Sequence, residues 1–358
     1  MTCSIGWVVL SVFQAAIRNL PDPGPGRDGA QSAIGWCLLG VAGISIGAAL
    51  YALLLERIRV QLNRFTLPLA APGLPPEGIT ILHLSDFHFR AGGFIQARKI
   101  ARARRLLGGL QYDLVALTGD LIHDAAGFPQ ALKLIRGLSP RLGGFVCPGN
   151  HDYSEYSVWG VFGHTWGERG ELGGRTPAEF IGAVRKLGDF ACKVLRNELV
   201  RLPVAFNDVA AMNAGLRSLG LTPLVNQAVR VQAGGLDLWV AGVDDLTEGH
   251  PDLAAALAGV PEGALLLLLA HNPDIWLDPL VDRAALVLSG HTHGGQVRLP
   301  GVGAAHTQGT HLSRRRPAGW FQRGPARMFV SRGLGESIPL RFGVRPQIAL
   351  IRIVPPAT

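Results

Sequence analysis

The chain has 358 residues, 48% of them hydrophobic and 17% charged, with a formal charge of +8. That balance excludes a mostly disordered chain and supplies a sizeable core, roughly two domains' worth by length. The positive excess suits phosphorylated substrates or acidic lipid headgroups. No basic block carries interleaved aromatics, so nucleic acid is not an expected partner.

Residues 4–17 are apolar but short for a membrane span. They read as a second membrane segment or an interfacial helix. Residues 34–55 carry no charge, and about 20 apolar residues cross a bilayer core. A transmembrane helix is predicted there, inside an N-terminal membrane region covering residues 1–66. Arg57, Arg59 and Arg64 follow it, against Arg18 and Arg27 before it. This bias puts the C-terminal part on the cytoplasmic side of the inner (plasma) membrane. Residues 67–78 hold four prolines and read as a stiff tether. Cys3, Cys37, Cys147 and Cys192 include no Cys-x-x-Cys pair, so neither a disulfide framework nor a zinc finger is expected.

From residue 79 to the end, apolar runs alternate with helical patterns. Strands are predicted over residues 79–84, 113–117, 143–147, 237–243, 264–270, 284–288, 326–331 and 347–354. Helices are predicted over 97–110, 130–138 and 252–257. This is an α/β pattern, in which ligands gather outside the carboxyl ends of strands. Residues 153–224 interrupt it. That stretch opens with Tyr153, Tyr156, Trp159, Phe162 and Trp166 and includes an amphipathic helical pattern over 177–200. It reads as an ordinary packing helix, or as a cap or membrane-facing helix beside the active site.

Polar clusters close the apolar runs: Asp86-Phe87-His88, Gly119-Asp120, Gly149-Asn150-His151-Asp152, His271-Asn272 and Gly290-His291-Thr292-His293. Asp86 and His88 are two apart, as are His291 and His293, so each pair points one way if the strand continues. Asp86, His88, Asp120, Asn150, His271, His291 and His293 offer oxygen and imidazole but no thiolate. Such donors suit Mn, Fe, Zn or Co. Seven are too many for one ion and suit two ions sharing Asp120. Asn150-His151-Asp152 could be only a capped turn. As chemistry, His151 is a group that changes charge near pH 7, and Asp152 can orient it. Arg90, just past Asp86-Phe87-His88, reads either as a contact for a substrate phosphate or as a solvated surface residue. His83, His123, His164, His250, His306 and His311 are isolated and read as structural.

These five blocks, in this order, resemble the calcineurin-like metallophosphoesterases. With Ser331-Arg332-Gly333-Leu334-Gly335 after them, they are similar to the membrane-anchored bacterial branch of YaeI/YkuE-like phosphodiesterases. The resemblance implies a four-layer α/β/β/α sandwich over residues 79–358, with the 153–224 stretch as an insertion. It implies two divalent transition-metal ions. One is on Asp86, His88, Asp120 and His293; the other is on Asp120, Asn150, His271 and His291. His151 then contacts phosphate, together with Asn150 and Arg90, or protonates the leaving oxygen, with Asp152 behind it. The expected activity is hydrolysis of a phosphodiester or pyrophosphate, with a lipid-linked, UDP-diacylglucosamine-type substrate suited to the anchor. The alternatives are a phosphatase with a soluble substrate and a metal-binding scaffold without turnover.

Overall fold

The structure is a computed structural model that describes residues 29–156 and 203–356. Residues 4–17 and the helical pattern at 177–200 lie outside the described residues, as do Trp159, Phe162, His164 and Trp166.

Helix α1 (Gly29–Leu50) runs on through a wide turn at Tyr51–Leu55 and a tight one at Glu56–Ile58. Trp36, Val41, Ile44, Leu50, Leu54 and Leu55 are exposed along it. Among the described residues, Leu39–Ile58 is the one helical stretch long and apolar enough to cross a membrane, by length and composition. Its far end is docked. Tyr51 meets Phe342 edge-on, Ala52 O accepts from Arg341 N, and buried Glu56 accepts from Gly343 N.

Strand β1 (Gln61–Pro68) follows at once and pairs along its whole length, in parallel, with the last strand of the chain. The expected boundary at residue 67 therefore falls inside a strand. The tether expected over 67–78 is also packed rather than free. Leu69, Ala71 and Leu74 rest on the core, and Leu69 N donates to Val354 O. The prolines end the strand and turn the chain back into β2; they do not hold the domain at a distance.

The remaining elements follow in order: β2 (Ile79–Leu84), α2 (Phe94–Leu107), β3 (Leu114–Thr118), α3 (Phe128–Ile135), β4 (Gly143–Cys147), α4 (Asn150–Tyr153), β5 (Ser154–Tyr156), β6 (Pro203–Phe206), α5 (Val209–Ser218), β7 (Leu221–Pro223), β8 (Gln227–Ala233), β9 (Leu236–Gly242), α6 (Leu253–Leu257), β10 (Leu265–Leu269), β11 (Leu286–Ser289), β12 (Arg298–Leu299), β13 (Gly303–Ala304), β14 (Gly319–Arg323), β15 (Ala326–Val330) and β16 (Gln347–Val354).

Two six-stranded sheets result, in the orders β1-β16-β2-β3-β4-β7 and β14-β15-β11-β10-β9-β8. Alternation along the strands assigns each face. In β2 and β3, Ile81, Leu114 and Ala116 point into a core shared with Leu265, Leu267, Leu269 and Leu288 of the second sheet. Their neighbours Leu82, Val115 and Leu117 point outward, against Ala103 and Leu107 of α2, Leu134 of α3 and Leu216 of α5. In β10, Leu266 and Leu268 point the other way, against Leu253 and Leu257 of α6. Strands buried on both faces are continuous apolar runs, as the five leucines of β10 are.

Strands β2, β3 and β4 run parallel, as do β9, β10 and β11. Their carboxyl ends therefore share an edge in each sheet. The loops leaving those ends carry every polar cluster singled out above.

Candidate metal centre

The loops are shaped before any side chain meets another. Asp86, His88, Asp120, His291 and His293 all have positive φ, between 45° and 69°. Non-glycine residues seldom adopt this left-handed region, and each costs of order 1 kcal/mol or more unless its surroundings impose it. Strand geometry therefore does not continue through Asp86 and His88, contrary to the expectation from their spacing. They converge because the chain turns at each of them. The turns are tied to one another: Asp86 N donates to Gly119 O, and His88 N to Asp120 O. Glycine is required where loops touch. A Cβ on Gly149 would lie 2.5 Å from Asp120 Oδ1 and 2.8 Å from the His271 ring.

Seven candidate donors meet in two overlapping groups. Ligand atoms of Asp86, His88, Asp120 and His293 lie within 4.8 Å of one another, and so do those of Asp120, His271 and His291. Asp120 belongs to both, with Oδ2 at 3.2 Å from His88 Nε2 and 3.2 Å from His271 Nε2. Asn150 Oδ1 joins the second group, 3.1 Å from His291 Nδ1. All seven residues are buried.

Outer contacts fix which ring nitrogen faces inward. His271 Nδ1 lies 2.7 Å from Thr118 O, and His293 Nδ1 lies 3.2 Å from Gly335 O. A carbonyl accepts only, so each Nδ1 donates and each Nε2 presents a lone pair to the centre. His291 is turned the other way, with Nε2 3.2 Å from Gln308 O and Nδ1 3.1 Å from His271 Nε2. His88 Nε2 and His293 Nε2 face each other at 3.0 Å. Lone pairs converging in this way repel unless a cation lies among them, and oxygen-plus-imidazole donors suit divalent transition metals. The residues therefore fit a two-ion centre bridged by Asp120.

The electrostatics agree. Burial would raise the Asp120 carboxyl, but positive charge on the side of His271, His151 and His88, whether as protons on the rings or as a bound cation in their place, holds it well below the carboxylate range. Burial raises Asp86, and Asp120 beside it adds to the rise. Burial and the neighbouring His88 push His293 well below its usual value. Such a buried cluster of acids and imidazoles is stabilised by added positive charge.

Helix α4 presents the Asn150-His151-Asp152 block. His151 N donates to Asp120 Oδ1 at 2.8 Å, and its ring stands 4.5 Å from that of His88, centre to centre. The role expected for Asp152 changes. Its oxygens accept from the backbone N–H groups of Asp120, Leu121 and Gly149, at 2.8–2.9 Å. Asp152 thus clamps the loop after β4 to the loop after β3, and acts on backbone rather than on the imidazole.

His123, read as structural, belongs to the site. Its ring nitrogen lies within 4.8 Å of those of His88 and His151, and its Nε2 is 2.8 Å from Arg90 Nη2. Arg90 thereby contacts a ring that itself stands beside His88 and His151. The available signal was the short spacing Asp120-Leu121-Ile122-His123. His83 keeps its structural reading. It is buried beside Thr118 Oγ1, and burial lowers it to about 3. His311 sits apart, paired with Asp274. The Asp244-Asp245 pair shapes the loop after β9, where Asp245 caps Thr247 and Glu248 and Asp244 takes the Tyr153 hydroxyl.

Residues 79–295 match the sequence model of the calcineurin-like phosphoesterases. The metallophosphoesterase YkuE of Bacillus subtilis is 25% identical over 85% of this chain and 88% of its own length. The UDP-2,3-diacylglucosamine pyrophosphatase LpxG of Chlamydia trachomatis is 27% identical over 77% of this chain and 84% of its own. The phosphodiesterase YaeI of Escherichia coli is 34% identical over 39% of this chain and 50% of its own.

Proposed function

The chain belongs to the calcineurin-like phosphoesterase family, a family of metal-dependent phosphoester hydrolases, and from that premise we propose a membrane-anchored, two-metal phosphodiesterase or pyrophosphatase. The observation that carries the reading is Asp120, one carboxylate common to both donor groups. One divalent ion would be held by Asp86, His88, Asp120 and His293, the other by Asp120, Asn150, His271 and His291. When bound, such a pair polarises a phosphoryl oxygen and lowers the pKa of water toward neutrality.

The chain's own groups do the rest. His151, its ring packed beside those of His88 and His123, donates a proton to the leaving oxygen. Arg90 and His123 meet the charge of the phosphate. Asp152 keeps the Asp120-Leu121 loop in register with Gly149 through its three amide contacts. Asn150 serves both as donor and as a group beside the substrate.

The substrate is proposed to be lipid-linked, of the UDP-diacylglucosamine type. Its support is the pyrophosphatase activity for which the chlamydial relative is named, the exposed apolar helix and the excess of basic residues. The anchor is the 34–55 helix. The flanking arginines favour a catalytic domain on the cytoplasmic face of the inner membrane. The test compares UDP-2,3-diacylglucosamine, bis-p-nitrophenyl phosphate and p-nitrophenyl phosphate with metal-loaded protein. The diester and the acylated nucleotide should both turn over faster than the monoester. A preference for the monoester would contradict the proposal. Turnover of the soluble diester alone would set aside the lipid-linked substrate.

A further inference from the structure

A separate groove lies away from the metal centre. It opens at Ile58, where the apolar helix ends, and runs between β1 and α2, with a volume of about 830 Å³. Five of its twelve lining residues are arginines: Arg59, Arg98, Arg102, Arg105 and Arg345. No lining residue is acidic. Among the described residues, no carboxylate forms an ion pair with any of the five.

The sequence builds this face deliberately along α2. Arg98, Arg102 and Arg105 are spaced four and three apart, which sets them on one side of the helix. Lys99, Ile100, Ala103 and Leu107 are buried on the other. Arg59 comes from the end of the apolar helix, and Arg345 from the loop before β16. Clustered guanidinium groups repel one another, and an anion offsets that repulsion. Arginine also meets phosphate oxygens with paired N–H donors.

We propose that this groove binds the phosphate headgroup of an acidic membrane phospholipid. The choice of a lipid over free phosphate rests on place. The groove starts where a helix with exposed Val41, Ile44, Leu50, Leu54 and Leu55 ends. Because that helix end is docked on the domain through Arg341, Gly343 and Phe342, the groove is held at the membrane surface. Basic clusters directly beside a span attract anionic lipids. Leu106 and Ala101 in the lining offer apolar surface for the glycerol end of a lipid. The proposal rests on the membrane reading of residues 34–55.

The test uses the full chain in uncharged detergent micelles. Short-chain phosphatidylglycerol, short-chain phosphatidylcholine, glycerol phosphate and inorganic phosphate are titrated by calorimetry. Phosphatidylglycerol should bind at least about tenfold more tightly than the other three, and more weakly as salt rises. The triple variant Arg98→Gln, Arg102→Gln, Arg105→Gln should lose at least about tenfold in that affinity. The single variant Arg102→Gln should lose a smaller factor and serves if the triple variant does not fold. Equal binding of phosphatidylglycerol and phosphatidylcholine, or unchanged binding by the variants, would overturn the site. Equal binding of inorganic phosphate would overturn the lipid assignment. Incorporation of the wild type into neutral phosphatidylcholine vesicles, measured alongside, reports the apolar helix independently. Its failure would therefore be told apart from failure of the groove.

Discussion

His151 touches Asp120 through its backbone and the centre through its ring, so its possible roles separate by experiment. As an acid, it should be replaceable without loss of metal. His151→Ala should then keep both ions and lose roughly 10²–10⁴-fold in rate on a substrate with a poor leaving group. The loss should be smaller with p-nitrophenol, which leaves with little protonation. An equal loss on both substrates would remove the acid role, and a drop in bound metal would make His151 a ligand. His123→Ala and Arg90→Ala should behave differently. A charge-assisted hydrogen bond contributes about 1.5–3 kcal/mol, so each should lower kcat/KM by roughly 10–100-fold, whatever the leaving group. Steady-state rates on alkyl and nitrophenyl diesters check this. The convergence of the seven candidate donors was legible because each closes an apolar run, and such ends gather at one edge of an α/β sheet. The positive φ values that aim them were not legible, since they arise from loops tied to other loops. Nor were the contacts of Asp152, which are with backbone. His83 and His123 look alike in sequence. His83 lies within β2 and turns to Thr118, whereas His123 is drawn to the centre by a bond from its N–H to Phe89 O.

At the scale of elements, the loop carrying Gly335 links the helix end to the metal centre. Gly335 O accepts from His293, while the next residue, Glu336, is buried among Arg57, Lys99 and Arg341. Burial would raise the Glu336 carboxyl, but Lys99, Arg57 and Arg341 hold it down to about 2. A depressed carboxyl stabilises the fold above its unfolded value near 4.5, and that contribution is lost as pH falls toward 2. The loss amounts to about 3 kcal/mol at most. Lys99 has the opposite sign. Burial outweighs Glu336 and lowers it to about 8, so it costs stability below that pH, but it does not titrate in the acid window. Denaturant melts at pH 5 and pH 3 should show the wild type weakening more than Glu336→Gln. Equal weakening would show that the network is not the acid-sensitive element. The interior strands were readable from sequence, and the edges were not. β1, β8 and β14 lie at sheet edges and carry Gln61, Asn63, Arg64, Arg230, Gln232, Gln322 and Arg323. An edge strand exposes part of its length and tolerates such residues, so its period-2 signal fades. The prolines after β1 then resembled a tether.

Across the whole molecule, the apolar helix and the catalytic domain are continuous, because the end of the helix packs on the loop that backs the centre. On the proposed membrane reading of that helix, this arrangement would keep the site near the bilayer, where an acylated substrate would be met. Proposed topology follows from the arginines after the helix. A reporter that functions only in the cytoplasm, fused after Thr358, should be active, and activity only of an externally active reporter would reverse the side. The central claim is the pair of ions bridged by Asp120, and elemental analysis of the metal-loaded, purified chain tests it most directly. The wild type should hold two transition-metal ions per chain. Asp120→Ala should lose most of at least one ion together with phosphodiesterase activity. A folded, fully active wild type holding a single ion, or an Asp120→Ala chain that keeps two, would contradict the account.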